Sequence, residues 1–230
     1  MDLEKTEELY RSILGPFPKR VDLDMETLEE EDCGSFTRSL IAWNNDKDER
    51  VHGYLLKPKN MTGKLPAVMA FHGHGAWHLG KKSTAGVDPD PEKAYLGPDL
   101  AERGFVVLCG DAIGWGHRQN PGGKPDGVGY ERVVAMRLLA EGRCMASQYV
   151  WDAMRQCDVL QSLDFVDGER IGAMGISMGS GHSWLSAMVE KRIQALVGVS
   201  SFYTYKALWS PPIRHCFMNH LPHVLEYGLE

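Results

Sequence analysis

One pentapeptide in this chain, Gly175-Ile176-Ser177-Met178-Gly179, could put a serine to work as a nucleophile. It lies between an apolar, strand-like run and a helix-like run in the stretch RIGAMGISMGSGHSWLSAMVE, residues 170–190. A nucleophilic serine has to sit on a sharp, strained turn so that its hydroxyl stands clear of the sheet. Only small neighbours let strand and helix approach closely enough for that turn. The same turn sets the N–H of Met178 at a helix start, where it can donate to a developing oxyanion with the helix dipole behind it. An oxyanion needs a second donor, usually from the loop after an earlier strand. The run AFHGHG supplies such a loop, His72-Gly73-His74-Gly75, and the N–H of His74 is the candidate. The plainer alternative is that both motifs are tight turns and no more.

Elements able to position these groups can be read along the chain. Residues 2–13 alternate charge with Leu3, Leu9, Tyr10 and Ile13, which predicts a short amphipathic helix ended by Pro16 and Pro18. Ser35–Trp43 and Arg50–Lys57 read as two strands joined by the polar segment 44–49, an N-terminal antiparallel hairpin. From Leu65 onward the pattern changes. LPAVMAF, GFVVLCG, RIGAMGIS and IQALVGVSS are apolar at consecutive positions, as expected of parallel strands covered on both faces. Helices are predicted at Asp99–Arg103, Met145–Phe165 and Met178–Lys191, and long loops rich in Gly, Pro and Asp at 74–98 and 112–130. Strand alternating with helix predicts an α/β class fold with a doubly wound, mostly parallel sheet. The whole is read as a single domain: 1–33 as helix and lead-in, 34–207 as the sheet core, 208–230 as a cap-like or tail segment.

The order of FHGHG, GDAIGWGHR and IGAMGISMGS resembles the α/β-hydrolase superfamily, most nearly its dienelactone hydrolase and acetyl-xylan-esterase-like branch, over roughly residues 35–225. Dienelactone hydrolases proper carry cysteine at the nucleophile, whereas this chain has Ser177. The resemblance implies hydrolysis of carboxylic esters of short acyl groups through an acyl-enzyme, with no cofactor.

A serine hydroxyl needs a base, and the base needs an acid to orient it. In the fold that the resemblance implies, the acid and then the histidine follow the serine in the chain. From Met178 onward there is no aspartate, and the only acids are Glu190, Glu226 and Glu230. Ser200-Ser201 stands where an acid can follow the next strand, and the segment after it has no apolar strand run. Three explanations follow. The chain is a piece of a longer protein, the favoured reading; or a second chain completes it; or the site is rearranged. In the last case His215, His220 and His223 are candidate bases, with Glu226 as orienter. Feeble activity is expected of the chain alone, and the rival reading is a binding or scaffold protein that keeps the fold without the triad.

Other features narrow the function. A net charge of −6 with no basic block argues against nucleic acid. No apolar run is long enough to span a bilayer, and the acidic start MDLEKTEELY is no targeting segment, so a cytoplasmic protein without a membrane partner is expected. Cys33, Cys109, Cys144, Cys157 and Cys216 are scattered and odd in number, as suits reduced thiols. No metal site is expected from His72, His74 and His78, whose spacing lacks a further ligand pattern. Asp111 and Arg118 are read as a structural pair. Trp77, Trp115 and Trp209 are read as pocket or packing residues. The expected partner is a small ester, with a homo-oligomer or a completing chain also open.

Overall fold

The computed structural model describes residues 3–75, 78–87, 96–210 and 216–226. A first helix, α1 (Leu3–Leu14), lays Tyr10, Ile13 and Leu14 into the core, and the Arg11 guanidinium donates to the Val189 carbonyl. Three antiparallel strands follow: β1 (Glu26–Asp32), β2 (Phe36–Asn44) and β3 (Arg50–Pro58). The β2–β3 hairpin is in continuous register from Phe36 opposite Pro58 to Asn44 opposite Arg50.

The sequence reading missed β1. Its residues ETLEEED are all exposed and carry no apolar signal. The strand forms because β2 offers a backbone ladder and basic side chains meet its acids, Arg38 of β2 at Glu31 and Arg50 of β3 at Glu26, while the Ser39 hydroxyl donates to Glu30. An acidic, fully exposed edge also resists pairing with other chains.

The parallel part comprises β4 (Leu65–Phe71), β5 (Val106–Gly110), β6 (Val166–Ile176) and β7 (Ile193–Val199), giving the order β1-β2-β3-β5-β4-β6-β7. From β4 the chain goes to β5 on one side, and from β6 to β7 on the other. The carboxyl ends of β4 and β6 therefore flank a topological switch point, where open α/β sheets bind their ligands. The loop at 72–75 and Ser177 both leave the sheet there.

Two short helices, α2 (Lys81–Ala85) and α3 (Leu96–Glu102), cover one face over Tyr54, Leu56, Val107 and Cys109. On the other face α5 (Met145–Ser162) packs Ala153, Cys157 and Leu160 against Met69, Leu108 and Ile171. Only its last two residues and Asp158 escape burial, so α5 is enclosed nearly all round. Alongside lie α4 (Gly127–Ala140) and α6 (Met178–Ala187), with a short α7 (Tyr205–Leu208) after the sheet. The sequence reading left α4 unassigned. It starts in a glycine-rich segment and leaves Val133, Met136 and Leu139 exposed, so its apolar positions do not form one clean stripe.

β7 is the last strand of the sheet, and its Leu196, Val197 and Val199 are exposed. Beside it, a groove of about 440 Å³ is lined by Val68, Leu100, Phe105, Met174, Ala195 and Val197. No helix among the described residues is long and apolar enough to cross a membrane.

Candidate active site

Ser177 occupies the junction of β6 and α6 with φ 56° and ψ −118°, a conformation that L-residues with a Cβ avoid. The flanking glycines are explained by contact. A Cβ on Gly175 would come 2.2 Å from the backbone carbonyl of Gly179, and one on Gly179 would come 2.1 Å from the carbonyl oxygen of Phe71. Strand, turn and helix thus touch backbone to backbone. The turn is tied to the sheet by the Ser177 N–H, which donates to Val199 O at 2.8 Å, while Gly181 N–H donates to Ser177 O at 3.1 Å. Met178, first residue of α6, has no intrahelical acceptor for its N–H.

The loop after β4 lies directly against this turn. A Cβ built on Gly73 would sit 3.2 Å from Ile176 O and 3.7 Å from Ser177 Cβ. Ser177, His74, Ser201, Phe202, Tyr203, Cys216 and Asn219 line a pocket of about 250 Å³. Behind the His74 ring stands Glu131, fully buried, with its Oε2 3.6 Å from His74 Nε2. The Tyr149 hydroxyl donates to Glu131 Oε1 at 3.2 Å and touches Met178 Sδ at 3.4 Å. On its other side, His74 Nδ1 meets Cys216 Sγ at 3.2 Å. Burial pushes the Cys216 thiol up to about 12, and neighbouring Glu131 adds to the shift. Such a thiol stays protonated and can serve as a donor to the imidazole.

No family model matches the chain. It is 28% identical over 230 residues to "Putative hydrolase YtaP" of Bacillus subtilis (strain 168), covering 99% of this chain and 74% of that one. The crystal structure of a "putative acetyl xylan esterase" from Bacteroides fragilis superposes with a TM-score of 0.80 at 13% identity, over 96% of this chain and 61% of that one. Acetyl xylan esterase 1 from Thermoanaerobacterium sp. gives a TM-score of 0.60 at 21% identity, over 90% and 61%. The chain has the α/β-hydrolase fold. It spans about three-fifths of the length of these two solved esterases.

Within this fold, the described histidines among those expected as bases, His220 and His223, do not gather at Ser177. His220 is exposed, and its ring lies 6.3 Å from that of Phe217. His223 does meet Glu226, at 3.0 Å, but both side chains stand on the surface. Neither lines the Ser177 pocket. His215 and Trp77 lie outside the described residues. Ser200 and Ser201, in the place where an acid could follow β7, both take positive φ (66° and 62°), and Ser201 reaches the pocket wall.

The reading of Asp111 with Arg118 needs correction. The carboxylate of Asp111 is buried against Lys81, whose side chain and backbone N–H both donate to it, and the His117 N–H donates at 2.9 Å. Arg118 reaches only the Asp111 backbone carbonyl, at 2.9 Å, and spends its guanidinium on Asp152 and Glu49. Two bases and three acids are thereby drawn into two separate local clusters, Lys81 with Asp111 and Arg118 with Asp152 and Glu49. Trp115 is fully buried and Trp209 packs on Tyr205, so neither lines the pocket. The sequence reading missed Glu131, Tyr149, Cys216 and Asn219. For Glu131 there was one signal, an acid among the apolar positions of an unassigned helix; for the others there was none.

Proposed function

We propose that this chain is a serine hydrolase acting on carboxylic esters of short acyl groups. The observation that carries the reading is the Ser177 elbow, held at φ 56° beside the His72–Gly75 loop at the switch point of the sheet. Strain of this kind costs about 1–3 kcal/mol and persists where the surroundings impose it, typically at functional turns. The structural likeness to a putative acetyl xylan esterase and to acetyl xylan esterase 1 supports an ester substrate. A pocket of about 250 Å³ supports a small acyl group.

In this reading Ser177 Oγ attacks the ester carbonyl. The N–H groups of Met178 and His74 donate to the oxyanion, the alcohol departs with a proton, and water then cleaves the acyl-enzyme. The serine proton needs an acceptor. Of the imidazoles among the described residues, His74 lines the pocket, and its nitrogens face Cys216 and Glu131. Turnover by residues 1–230 alone is therefore slow, since loss of a triad member costs about 10⁴–10⁶ in kcat. The same arrangement favours one rival, a binding protein that keeps the fold without the chemistry.

The test is p-nitrophenyl acetate hydrolysis together with fluorophosphonate labelling, with Ser177→Ala as control. Slow turnover and labelling that both vanish in Ser177→Ala are expected. Absence of any labelling at Ser177 refutes the hydrolase reading, and turnover at ordinary esterase rates refutes the slow one.

A further inference from the structure

His72 is 3% exposed, makes no ion pair among the described residues and is not a member of any catalytic set described above. Its two ring nitrogens are nonetheless both engaged, and the engagement fixes its tautomer. The Ala112 N–H donates to Nε2 at 3.0 Å. A backbone amide can only donate, so Nε2 holds the lone pair and the ring proton resides on Nδ1. Nδ1 lies 2.8 Å from the carbonyl oxygen of Gly73, to which it donates. Burial keeps the imidazole neutral by pulling its pKa below the ordinary value.

The Gly73 carbonyl and the His74 N–H belong to one peptide unit, and in a trans peptide they point in opposite directions. Holding the carbonyl against the His72 ring therefore turns the His74 N–H away from it. No acceptor for that N–H is present among the described residues. The next peptide is fixed as well: the Trp115 indole N–H donates to His74 O at 3.0 Å. Both clamps come from one turn, since Trp115 N–H donates to Ala112 O at 3.0 Å, and that turn begins at the caged carboxylate of Asp111.

We propose that His72 is a positioning residue, which presents the His74 N–H to the oxyanion of the Ser177 reaction by fixing the Gly73–His74 peptide plane. The inference rests on the hydrolase reading above. The physical gain is twofold. A preorganised donor pays no reorganisation cost as charge develops. In addition, a carbonyl that accepts a hydrogen bond polarises its amide, which makes the N–H a better donor.

Two measurements test this. Nitrogen-15 NMR of the intact chain reads the His72 tautomer directly, without need of activity. Nδ1–H is expected near neutral pH, and Nε2–H overturns the proposal. Kinetics then compares His72→Phe, which keeps a ring but no donor, with His72→Asn, whose amide places a donor near the Nδ1 position. His72→Phe is expected to lower kcat and the rate of fluorophosphonate labelling about 10²-fold, the scale of losing one oxyanion donor, with KM within about 3-fold. His72→Asn is expected to recover most of that loss. Equal losses in both variants, or a shift in KM alone, overturn the positioning role while leaving the hydrolase reading intact. A wild-type chain that never labels at Ser177 brings down the hydrolase reading and this role with it.

Discussion

Replacing Ser177 by glycine removes the nucleophile proposed above and should nevertheless make the protein more stable. Ser177 sits at φ 56°, ψ −118°, a region that glycine enters freely and residues with a Cβ do not. Releasing a strained residue returns about 1–3 kcal/mol. Against this, glycine loses more backbone entropy on folding, which costs about 0.5–1 kcal/mol. The balance is a gain on the order of 1 kcal/mol, and for a chain of this size each kcal/mol moves Tm by about 2–4 °C. The control is Ser177→Ala, which deletes the same hydroxyl but keeps the Cβ, and so keeps the strain. The assay is thermal or denaturant unfolding of the three proteins side by side. Ser177→Gly is expected about 3 °C above Ser177→Ala, with both inactive. A Tm for Ser177→Gly equal to or below that of Ser177→Ala refutes the claim that this turn stores conformational strain.

Three further outcomes follow from the same contacts. Gly179→Ala places a methyl 2.1 Å from the Phe71 carbonyl oxygen, a backbone atom that cannot step aside, so a loss of at least about 3 kcal/mol or failure to fold is expected on urea titration. Asp111→Asn strands the buried Lys81 ammonium, and a loss of about 3–5 kcal/mol is expected; a variant within 1 kcal/mol of wild type, by the same titration, would show that the pair is dispensable. His182 is buried, stacks on Phe71 and donates from Nε2 to Tyr149 O at 2.6 Å, and burial takes its pKa from 6.5 down to about 3. The unfolded chain therefore binds a proton that the folded one refuses, and stability falls as pH drops from 6.5 towards 3, at up to about 1.4 kcal/mol per pH unit. Unfolding free energies measured across that window should show a flatter slope in His182→Gln.

The parts legible in the sequence are those whose physics is local. A five-residue pattern sufficed for the elbow, because its glycines answer to contacts within one turn of chain and with the adjacent strand. Consecutive apolar runs marked β4 to β7: β4 and β5 are covered on both faces and must be apolar throughout, whereas β7 carries the same pattern with its side chains exposed. β1 escaped, since a strand of exposed glutamates exists only by virtue of the ladder that β2 provides and the counter-charges of Arg38 and Arg50 on β2 and β3. α4 escaped because its apolar residues are divided between the core and the surface.

The site divides in the same way. The sequence by itself determined which serine stands on a bend, and which loop after which strand comes next to it. Tertiary structure alone decided what surrounds them. Glu131 comes behind His74, Cys216 beside it, Ala112 against His72, and Asp111 pairs with Lys81 rather than with the Arg118 that sequence proximity offered. Each of these contacts joins residues at least 30 positions apart. The free energy of a buried charge or donor depends on the partner that packing delivers. Side-chain type can announce a need for a partner, but only the sheet order, with β4 between β5 and β6, says which one arrives.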